Sequence, residues 1–82
     1  MTIDKIIELL RTTPPTTAAL SKAYGMALGM GVISTDIDLA IRHLKGGDTE
    51  LALKYLYGPT DRGTGKGAIA DFEKMKRDYS SP

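Results

Sequence analysis

A chain of 82 residues makes one domain, and one this short hides only about 60% of its unfolded surface, leaving little volume for a deep catalytic pocket. With no cysteine it has no disulfide, no thiolate nucleophile and no cysteine-held zinc or iron–sulfur site, and it is expected in a reducing, cytoplasmic compartment. Its 11 basic and 10 acidic residues are interspersed and leave a net charge of +1, which gives no long-range pull toward nucleic-acid phosphate.

The opening Met1-Thr2-Ile3-Asp4-Lys5 lacks the charged-then-apolar build of a signal peptide, and no apolar run reaches the 18 or so residues of a membrane span. The chain is therefore expected to be soluble. Apolar spacing then predicts a first helix over 3–12, with Ile3, Ile6, Ile7 and Leu10 on one face, Thr2 as its cap and Thr12-Thr13-Pro14-Pro15 as its end. A second helix begins after Thr16 or Thr17 and presents Leu20, Ala23, Tyr24, Ala27 and Leu28 on one side. Gly25 and Gly29 lie four apart inside it and cost helix stability, which predicts that another backbone packs closely at Gly25; the alternative is that the helix frays by Gly29-Met30-Gly31.

Ser34-Thr35-Asp36 caps a third helix with Ile37, Ala40, Ile41 and Leu44 inward, and Gly46-Gly47 stops it in a left-handed turn. Asp48 caps a fourth, short helix with Leu51, Ala52, Tyr55 and Leu56 inward, closed by Gly58-Pro59. Residues 59–67 read as a glycine-rich loop. A last helix, 68–79, carries Ala68, Phe72, Met75 and Tyr79 on one stripe and Asp71, Lys74 and Asp78 elsewhere.

The middle of the chain contains Met30-Gly31, then Ala40-Ile41, then Gly46-Gly47-Asp48, then Ala52-Leu53 with Tyr55-Leu56. In this it resembles the ubiquitin-associated (UBA-like) three-helix domain, and Gly46-Gly47-Asp48, Glu50 and Ala52 also look similar to the N-terminal domain of elongation factor Ts. The resemblance covers residues 17–58 and leaves both terminal helices outside it. It implies a partner-gripping patch on the Met-Gly turn and the end of the last helix, here Met30, Gly31, Val32, Leu56 and Tyr57. Val32 stands where the family carries an aromatic residue.

Residues of chemical interest resolve mostly into structural roles. Thr60–Gly67 is comparable to a phosphate-binding loop, but Thr60 replaces its first glycine and Gly67 its magnesium-binding hydroxyl, and no strand precedes it. Arg62 and Lys66 remain as a basic pair that could hold an anion or a partner's carboxylate. His43 is the only histidine and has no carboxylate or serine in register, so it is read as a surface side chain without metal or base role. Asp36 and Asp38 suit a helix start. Flexible Met26 and Met75 are expected to fill core gaps and Met30 to be exposed. Tyr57, two residues from Tyr55, must face another way and is either an interface anchor or packed beneath the last helix through Phe72.

The sequence thus predicts an all-α bundle of four to five short helices over residues 1–82, with a UBA-like centre, no cofactor, no metal and no catalytic residues. Its expected function is a non-enzymatic adaptor or inhibitor docking on another protein through Met30, Gly31, Val32, Leu56, Tyr57, Arg62 and Lys66. One alternative is a self-associating accessory subunit of a viral particle or larger complex. Another is weak helix-turn-helix binding of nucleic acid, against which Asp36 and Asp38 count because they would face phosphate.

Overall fold

A computed structural model describes residues 2–59 and 65–80. It contains α1 (Thr2–Leu10), α2 (Thr17–Gly29), α3 (Thr35–Lys45), α4 (Thr49–Tyr57) and α5 (Ala68–Ser80), and no strand among the described residues. None of these helices is long and apolar enough to cross a membrane. The radius of gyration, 11.8 Å, equals the roughly 12 Å of a single packed domain of this length.

Local chemistry sets the helix ends. Thr16 caps α2 by accepting from the Ala19 amide at 3.1 Å, Ser34 caps α3 through the Ile37 amide at 3.2 Å, and Asp48 caps α4 through the Leu51 amide at 3.1 Å. The ends of α2 and α3 share one geometry. After α2 the Gly31 amide donates to the Leu28 carbonyl and the Val32 amide to that of Ala27, both at 2.9 Å. After α3 the Gly47 amide donates to Leu44 at 3.1 Å and the Asp48 amide to His43 at 2.9 Å. Both are Schellman turns, which need a left-handed residue, and Gly31 and Gly47 supply it at φ +82° and +85°. Asp48 closes α3 with its amide and opens α4 with its carboxylate.

Two local expectations are corrected. Thr2 stands inside the first turn of α1 rather than ahead of it, and the helix ends at Leu10 rather than Thr12. Beyond Leu10 the Thr12 amide still reaches the Leu9 carbonyl at 3.2 Å, a tightened last turn before the prolines. Gly25 is exposed, and a Cβ built there would meet nothing within 4 Å, so no backbone approaches it. Without such a contact its glycine only weakens α2. Gly25→Ala should therefore stabilise the fold by about 0.5–1 kcal/mol in urea denaturation. A loss of stability instead would mean that something does press on that face.

Each helix packs mainly on its neighbours in sequence, and α1 against α5 closes the circle. The central helices bring several small residues to the core (Ala23, Ala27, Ala40 and Ala52), which lets their axes approach closely. Bulk comes largely from the ends of the chain: of the seven largest fully buried side chains, Ile3, Ile6 and Leu10 lie on α1 and Phe72 on α5. The segment 17–58 is thus completed by both terminal helices. On the rim of the α1–α5 contact, Lys76 meets Asp4 at 2.6 Å and Arg11 meets Glu73 at 2.9 Å. The hydrogen bond from Lys76 holds the Asp4 carboxyl below its ordinary pKa.

Candidate functional site

The ring leaves α3 and α5 without substantial direct packing, and a cleft opens between the α2–α3 corner and α5. One wall is the α2–α3 corner. Val32 is drawn inward because its amide closes the turn of α2, and Ser34 is buried at 9% exposure because it caps α3. Ile33, between these two inward neighbours, faces solvent. It is 76% exposed, the most exposed large apolar side chain described. Nothing in the turn requires an apolar residue there.

The other wall is α5, which carries two adjacent stripes at i, i+3 and i+7. One is Phe72, Met75 and Tyr79, which climbs from the core to the surface: Phe72 is fully buried, Met75 half-buried and Tyr79 67% exposed. The second is Asp71, Lys74 and Asp78. Tyr79 is therefore not the core residue that its place on the apolar stripe predicts, because α5 outruns the elements it packs on.

Between these walls lies a cleft of about 500 Å³ lined by Val32–Asp36 and by Asp71, Phe72, Lys74, Met75 and Asp78. That volume falls within the range of roughly 300–1,000 Å³ at which clefts receive ligands. Its apolar lining comes from Val32, Ile33 and Met75, with the fully buried Phe72 beneath them, and its rim is charged. Asp36, Asp71 and Asp78 against Lys74 give the described lining three carboxylates and one ammonium, a net charge of −2. Asp36 and Asp71 also take part in further polar interactions.

The residues singled out in the sequence scatter around this structure. Val32 lines the cleft. Met30 is half-buried against the core rather than exposed, and Gly31 is exposed in its turn. Leu56 is fully buried, so it is removed from the docking patch: it follows Ala52 by one helical turn and shares that residue's inward face. Tyr57, next along the chain, is 47% exposed at the end of α4. Lys66 is exposed and lines a second, smaller depression with Ala70, Asp71, Glu73, Lys74 and Arg77, where two carboxylates oppose the basic groups. Arg62 lies outside the described residues.

His43 is not a plain surface side chain. It is half-buried, with its ring stacked on that of Tyr55 at a centroid distance of 5.3 Å and 7° between planes. Such stacks contribute about 0.5–1.5 kcal/mol beyond burial, and this one braces the α3–α4 corner. The cleft residues that the sequence reading missed are Ile33, Asp36, Asp71, Lys74 and Asp78. The available signal was the pair of parallel stripes on α5, one apolar and one charged, together with an isoleucine just ahead of a helix cap. Among the described residues no cluster of metal-ligating side chains occurs.

Comparison with protein-family models, with curated proteins and with solved structures finds no match for this chain.

Proposed function

We propose that this protein is a non-enzymatic docking module, an adaptor or inhibitor that binds a larger protein through the cleft between the α2–α3 corner and α5. The observation that carries the reading is Ile33, 76% exposed beside an apolar floor in a chain whose core is small. An isoleucine so placed adds nothing to the core and favours association, and a contiguous apolar patch with a polar rim is how interaction sites are built. The non-enzymatic part is supported by the chemistry of the lining. The Ser34 hydroxyl is committed to capping α3, and His43 stacks on Tyr55 and does not line the cleft.

A UBA-like centre over residues 17–58 is part of the same proposal, supported by the Met30-Gly31 and Gly46-Gly47-Asp48 corners that bracket α3. Docking is assigned to the Val32–Ile33 end of that unit, since Leu56 lies in the core.

A photo-crosslinking residue at position 33, expressed in cells of the native source, should give a discrete adduct with a second protein. The same residue at Lys22, exposed on α2, should not. Ile33→Ser should keep the unfolding midpoint within about 0.5 kcal/mol of the parent, because an exposed side chain contributes little to the fold. It should weaken partner binding roughly tenfold. Identical adducts from both positions, or none from position 33, would refute the docking site. An adduct of twice the chain mass would turn the reading into the self-associating subunit instead.

A further inference from the structure

We draw no further inference here: the strongest candidate, the apolar surface that runs from Ile33 and Met75 in the cleft to the exposed Tyr79 at the end of α5, belongs to the docking site already described, and nothing in the structure shows what covers it.

Discussion

Gly67→Ala should lower stability by about 2–4 kcal/mol in urea denaturation followed by helical circular dichroism. A fold of 82 residues has roughly 4–12 kcal/mol in all, so this one methyl group is expected to remove a large part of it. Two effects add at the site. Gly67 has φ +88°, where any other L-residue is strained. Its missing Cβ would also stand 2.6 Å from the Leu56 carbonyl oxygen and 2.8 Å from the Gly58 nitrogen. Neither atom can retreat cheaply, because both belong to the end of α4, where the Gly58 amide donates to the Lys54 carbonyl at 2.7 Å. The contact is reciprocal: a Cβ on Gly58 would lie 2.7 Å from the Lys66 carbonyl oxygen. Two glycines thus let the end of α4 and the start of α5 cross backbone to backbone, with the Gly67 carbonyl accepting the Asp71 amide of α5 at 3.3 Å. Gly47→Ala is the control, since Gly47 has φ +85° but nothing within 4 Å of its Cβ position. It should cost only the left-handed term, about 1–2 kcal/mol. Equal losses in the two variants would show that the crossing does not exist in solution.

That crossing marks where reading the sequence stops short. Caps and glycine stops depend on a few consecutive residues, so Ser34, Asp48 and Gly46-Gly47 could be placed from the sequence alone, and the cap of α2 to within one residue, Thr16 or Thr17. The neck between Gly58 and Gly67 is a relation between residues nine apart in sequence, and their composition looks the same whether the glycines touch or merely bend. Exposure along α5 is hidden for a similar reason. Phe72, Met75 and Tyr79 share one periodicity, and only the extent of the neighbouring elements decides that the first is core and the last solvent-facing. Leu56 shows two signals in conflict. The UBA-like resemblance puts it on a binding patch, while its spacing from Ala52 puts it inside, and the structure follows the spacing. Ile33 is not legible in the sequence, because apolar periodicity has no meaning in the five-residue connection between α2 and α3. What exposes it is the pair of inward neighbours, Val32 held by the turn of α2 and Ser34 by the cap of α3.

Phe72→Ala is expected to cost about 3–5 kcal/mol in urea denaturation, a large share of the stability of a chain this size. Phe72 is fully buried and is the only phenylalanine, and the rest of the buried face of α5 is Ala68 and Ile69. The ion pairs from α5 to α1 cannot compensate, because Lys76, Asp4, Arg11 and Glu73 are each about half-exposed and screened by water. They set how the two helices are aligned, while Phe72 sets whether α5 is docked at all. The same ring lies beneath the cleft and supports its apolar lining, so truncation would weaken the fold and the binding surface together and could not separate them. Phe72→Leu can. It keeps much of the apolar volume, should cost only roughly 1–2 kcal/mol, and should leave a cooperative thermal transition. Because the cleft lining is then reshaped rather than lost, partner affinity should fall in a chain that is still folded. If Phe72→Ala instead cost under about 1 kcal/mol, α5 would not be anchored in solution, and a cleft with α5 as its second wall could not hold a partner.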